Sequence, residues 1–168
     1  PNLPPSSPPL PSVPPSPPEP PAPPPPPPSI VALVADDPDE SDAHFAPYDT
    51  LTLHFWPPTS TPGGGDGHVL DRTTIDKMLV FEPPIDGDYW AHWNTSRHLR
   101  ITFGIVNAAA APTAGVFTAA CRPGNDIQAG AAPSAECSSV SPPLRGRWGY
   151  AYPPRVAITS FVADDADD

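Results

Sequence analysis

The sequence predicts an all-β sandwich carried on an extended polyproline II rod, and three observations predict it. Proline is gathered at one end: 18 of the first 28 residues are Pro, with Pro23 to Pro28 uninterrupted, whereas the remaining 140 residues hold 14. Beyond that end, apolar residues recur with period two in several short runs separated by Gly, Pro, Asn and Asp, the pattern of half-buried antiparallel strands. Helical spacing occurs in a single short segment.

The rod comes first. Each proline ring fixes φ near about −65°, removes a backbone donor and pushes the preceding residue into the extended region, which excludes both helix and sheet. Polyproline II remains, and at roughly 3.1 Å per residue it extends residues 1–28 over a distance on the order of 85 Å. Composition changes sharply at Ser29, and the chain beyond it is long enough for one domain with its own core.

The globular part reads as strands. Ile30 to Val34 is a short apolar run entered directly from the prolines, and an acidic turn, Asp36-Asp37-Pro38-Asp39-Glu40-Ser41-Asp42, comes after it. Thr50 to Phe55 alternates strictly, placing Leu51, Leu53 and Phe55 on an inner face and His54 on the outer one. Pro57 to Gly67 is a loop by composition, with three consecutive glycines. Asp71 or Thr73 then caps a short helix in which Ile75, Met78 and Leu79 share one face and Lys77 points outward. Tyr89 to Trp93 and Leu99 to Ile105 alternate in the same way and pair as a hairpin turning at Asn94 to Arg97. Gly115 to Ala120 is a further strand, and Ser138 to Pro154 is loop-like, with aromatic residues at Trp148, Tyr150 and Tyr152. Short alternating strands at this spacing predict a β-sandwich, immunoglobulin-like in topology, although the cysteine-tryptophan-cysteine spacing of antibody domains is absent.

Charge and cysteine content narrow the setting. A formal charge of −11, from 19 acidic and 8 basic residues, opposes binding to nucleic acid or an anionic membrane surface. No apolar run approaches the ~20 residues that span a bilayer, and the start does not resemble a signal peptide, so the chain reads as an internal or mature fragment. Cys121 and Cys137, the only cysteines, enclose a loop rich in Gly, Ala and Pro, and their spacing fits neither a CxxC redox motif nor a zinc pattern. A disulfide between them is expected, contributing ~3 kcal/mol on the chain-entropy model and placing the protein in an oxidising compartment. Asn94-Thr95-Ser96 is an N-glycosylation sequon and points to the same compartment.

The chain also repeats itself. The segment Pro28 to Asp37 resembles Pro154 to Asp165, both ending in Val-Ala-Asp-Asp at an offset of 128 residues. This divides the chain into a rod at residues 1–28, a domain at 29–153 and the start of a second tandem copy at 154–168. Chance similarity between two strands of one domain is the alternative.

The proline blocks, the Ser-Pro units at Ser7-Pro8 and Ser16-Pro17, and the acidic turn preceding Asp49-Thr50-Leu51-Thr52-Leu53-His54-Phe55 occur together. In this the chain resembles the hydroxyproline-rich glycoproteins of green algae, and among them the modular proteins of flagellar mastigonemes that alternate proline rods with immunoglobulin-like domains. The resemblance implies prolyl hydroxylation with O-linked arabinose or galactose on Pro4, Pro5, Pro8, Pro9, Pro14, Pro15, Pro17, Pro18 and Pro23, Pro24, Pro25, Pro26, Pro27 and Pro28, and no catalysis. It further implies an extracellular place, on a ciliary or flagellar surface or in a cell wall, with other structural glycoprotein subunits of a fibre as partners.

Other function classes find less support in the residues. There is no G-x-S-x-G elbow and no HExxH, and the Gly63-Gly64-Gly65 run lacks the lysine of a P-loop. His54, His92 and His98 fall on outward faces, where a solvated histidine is ordinary. A ligand for SH3 or WW grooves generally carries a basic anchor, and residues 1–28 contain no Lys or Arg. An adhesion or carbohydrate-binding domain on a proline stalk is the leading rival, with Trp148, Tyr150 and Tyr152 as a stacking platform unless they are buried in the core. Finally, Asp36, Asp37, Asp39 and Asp42 offer a calcium ion hard oxygens at the mouth of a strand, though without the glycine and glutamate of an EF-hand. The same crowding recurs at Asp164, Asp165, Asp167 and Asp168; a solvated acidic turn is the alternative reading.

Overall fold

A computed structural model of the chain describes residues 19–21, 23–39, 44–65, 67–130 and 136–149. In chain order the elements are β1 (Ser29–Asp36), β2 (Thr50–Trp56), β3 (Val69–Leu70), α1 (Arg72–Met78), β4 (Leu79–Glu82), β5 (Gly87–Thr95), β6 (His98–Val106), β7 (Thr118–Cys121) and β8 (Arg145–Gly146). The protein is therefore mostly β, with one short α-helix among the described residues, and its strands lie in a sandwich-like arrangement of sheets. No helix there is long and apolar enough to cross a membrane.

Six strands form the large sheet in the order β3-β5-β6-β2-β1-β8, and β4 pairs with β7 in a second, two-stranded sheet. All pairings are antiparallel except the short contact of β8 with β1, where Val34 faces Arg145 and Ala35 faces Gly146. Gly146 is required there: its φ is +93°, and a Cβ would lie 2.1 Å from the Ala35 carbonyl oxygen.

The period-two pattern sets the core. Leu51, Leu53 and Phe55 from β2, Leu99, Ile101 and Phe103 from β6, and Tyr89, Ala91 and Trp93 from β5 are all buried on one face of the large sheet. From the small sheet, Leu79, Phe81 and Ala119 meet them. Phe81 links the layers, packing edge-on to Tyr89 and stacking on Phe117, both at centroid distances of 5.9 Å.

Several sequence expectations shift. β1 and β2 are longer than the apolar runs that mark them, and the turn of the hairpin is Ser96-Arg97, with Asn94 still inside β5. Asp71, not Thr73, caps the helix: its Oδ1 accepts from the Thr74 amide at 2.8 Å, and its hydrogen bonds to Thr74 lower the Asp71 pKa. Leu79 lies outside the helix, turning extended (φ −128°, ψ 155°) to begin β4, yet it stays buried because the strand continues the same inward face. The expected strand over Gly115 to Ala120 begins instead at Thr118, since Gly115 has φ +82° and belongs to a turn. Within the loop-like segment from Ser138, Arg145 and Gly146 form β8 and Val140 bridges to Ala120. The region of the repeat, residues 154–168, lies outside the described residues.

Candidate functional site

The candidate site is the junction of rod and domain. Pro28 is followed directly by Ser29, the first residue of β1, with no intervening linker. Pro23, Pro24, Pro26 and Pro27 are exposed, Pro25 is half-buried and Pro28 is buried. The covered positions are three apart, so one edge of this segment rests against the domain. The Ile30 amide next to it donates to Ser139 Oγ at 2.8 Å, tying the entry to the segment just beyond Cys137.

Pro25 also forms one wall of a groove of about 340 Å³, opposite Pro57, Pro58, Ser96, Ala129 and Gly130. The far wall is fixed by hydrogen bonds. The Thr59 amide and hydroxyl both donate to the Ser96 carbonyl, at 2.7 and 2.9 Å, and the Ser60 amide donates to the Gln128 carbonyl at 2.8 Å. Beside the groove Trp56 is 54% exposed, with the Arg97 guanidinium 4.3 Å from its ring centroid.

Of the O-glycan candidates, Pro4, Pro5, Pro8, Pro9, Pro14, Pro15, Pro17 and Pro18 lie outside the described residues. Of the others, Pro23, Pro24, Pro26 and Pro27 are exposed, Pro25 is half-buried and Pro28 is buried. Asn94 is exposed near the end of β5, and Thr95 Oγ1 of its sequon accepts from the Arg97 amide at 3.1 Å, inside the hairpin turn. An N-glycan at Asn94 is expected to appear as a mass loss on glycosidase treatment of the natively sourced protein, absent in Asn94→Gln. Release of nothing from this site counts against it.

Cys121 and Cys137 are bonded to each other, with their Cα atoms 5.7 Å apart. The bond closes one end of β7 onto a loop organised by Asn125, whose Nδ2 donates to the Cys137 carbonyl at 2.8 Å and whose Oδ1 accepts from the Ile127 amide at 2.8 Å.

The other expected sites fall only partly within the described residues. Asp36 and Asp39 are exposed, Asp37 is buried, and Asp42 lies outside the described residues together with Asp164 to Asp168. Among the described residues no three His, Cys, Asp or Glu side chains are grouped to share an ion. Trp148 is part of the core edge, not a platform: it packs on Phe45 and Phe103 at 4.8 and 5.5 Å and donates from Nε1 to the Pro112 carbonyl at 2.6 Å. Tyr150 and Tyr152 are outside the described residues.

Sequence reasoning did not foresee a second polar cluster, around a cavity of about 230 Å³ between α1 and the small sheet. Arg72 pairs with Asp76 at 3.5 Å and lies 5.0 Å from the Tyr89 ring centroid, while the Tyr89 hydroxyl donates to Asp76. Burial, then the Asp76 carboxylate, raise the Tyr89 pKa, so the phenol stays protonated and serves as a fixed donor that pins the helix to β5. The signal was present as an Arg-x-x-x-Asp spacing on the helix, but its tyrosine partner is set by packing.

Comparison of the chain with protein-family models, with curated proteins and with solved structures finds no match.

Proposed function

We propose that this chain is a structural, extracellular glycoprotein module. A polyproline II rod bearing hydroxyproline and O-linked arabinose or galactose is fused to an immunoglobulin-like β-sandwich, which acts as spacer and lateral docking unit in a fibre such as a flagellar mastigoneme or a cell wall. Its partners are other structural glycoprotein subunits. The observation that carries this reading is the seamless join: proline runs directly into β1, and Pro25 and Pro28 lie against the domain. A stalk meant to let a binding head swivel would place a flexible glycine-rich linker there, whereas a spacer in a fibre gains from a join that transmits orientation. The disulfide and the sequon support an oxidising, secretory route.

Adhesion through saccharides is the second reading, favoured by the exposed Trp56 with Arg97 over its ring. Peptide mass spectrometry of natively sourced protein tests the first reading. Hydroxylated, pentose- or hexose-bearing Pro23, Pro24, Pro26 and Pro27 are expected, with Pro28 bare of sugar. Unmodified prolines throughout residues 1–28 would overturn the glycosylated-rod reading. Saccharide binding by the whole chain that is lost in Trp56→Ala would favour the adhesion reading instead.

A further inference from the structure

We propose that His54 and His98 form a binding site for a divalent transition-metal ion of the class that prefers imidazole nitrogen, such as Zn²⁺, Ni²⁺ or Cu²⁺, on the outer face of the large sheet. The two residues are direct cross-strand partners on β2 and β6. The neighbouring Phe55 amide donates to the Arg97 carbonyl at 2.8 Å, which makes the histidines a non-hydrogen-bonded pair. In such pairs the Cα atoms approach to about 4.5 Å and the side chains stand closer than elsewhere in a sheet. The ring centroids are accordingly 4.5 Å apart, with the rings inclined at 67°, close enough for a rotation of the side chains to bring one nitrogen of each to a shared ion.

The surroundings suit such an ion. His98 Nδ1 lies 3.2 Å from Thr95 Oγ1, a contact that holds the ring and leaves Nε2 for a metal, as an outer partner of a ligating histidine does. Both rings are half-exposed, so an ion has access and water fills its remaining positions. On the far side of His54 its partner on β1 is Ala32, whose methyl group leaves that flank open. In the next row of the same face stand Thr52 and Arg100. Selection at this pair rests on imidazole nitrogen ligation, which calcium and magnesium do not favour. This separates the site from the acidic turn.

Titration of the whole chain with ZnCl₂ or NiCl₂, followed by calorimetry and by the imidazole resonances, tests the proposal. One equivalent is expected to bind with shifts at His54 and His98, and His54→Ala and His98→Ala should each weaken binding at least about tenfold, because one arm of a chelate is lost. His68→Gln and His92→Gln should leave the affinity unchanged, and millimolar CaCl₂ should not compete. Resonance shifts confined to other histidines, affinity unaltered in both alanine variants, or no binding up to millimolar metal would each overturn it. If the alanine variants unfold, the resonances of the unsubstituted protein decide alone.

Discussion

Replacing Trp93 with alanine is expected to cost the domain about 3–5 kcal/mol of stability, the largest effect of any single substitution we foresee. Trp93 is fully buried in β5, its ring centroid is 5.5 Å from that of Phe55, and its Nε1 donates to the Pro62 carbonyl at 3.1 Å. Truncation opens a cavity between sheet and loop and also deprives a loop carbonyl of its donor, and both effects act in the same direction. Trp93→Phe keeps most of the contact area and loses the hydrogen bond, so its cost should lie well below that of the alanine variant. Urea unfolding followed by tyrosine and tryptophan fluorescence reads the difference. A loss under about 1 kcal/mol for Trp93→Ala would show that this residue does not anchor the core.

The second large effect concerns the disulfide. Cys121→Ser with Cys137→Ser should lower stability by about 3 kcal/mol, the chain-entropy value for a loop of this size. The loss should be felt first around β7, because Leu79 of β4 pairs with Cys121 and the Arg122 amide donates to the Met78 carbonyl at 2.8 Å. Reductant should destabilise the unsubstituted protein by a similar amount and leave the double variant untouched. Equal melting temperatures with and without reductant, in protein whose thiols are then labelled, would contradict this.

At the junction, the consequence of the structure is directional. Pro23, Pro24, Pro26 and Pro27 are exposed while Pro25 and Pro28 are covered, so under the proposed function sugars would sit on the free side of this segment.

By itself the sequence determined the elements whose signal is local. Strict alternation placed Leu51, Leu53 and Phe55 inward and paired Tyr89 to Trp93 with Leu99 to Ile105, because pleat and hairpin are each decided within a few residues, whereas the sequence offered both Asp71 and Thr73 as the helix cap and the structure selected Asp71. The two cysteines and their loop were legible for the same reason. Only the tertiary structure decided the rest. β3 and β8 are two residues long and exist because a remote strand offers them partners, and Leu79 leaves the helix because β7 stands ready to pair with it. Trp148 is drawn against Phe45 and Phe103, and Pro28 is buried where its neighbouring prolines are exposed. His54 and His98 read as two ordinary outward histidines until the register of β2 on β6 sets them side by side. Register depends on which faces of the whole sheet are buried, and no window of sequence around either histidine contains that information.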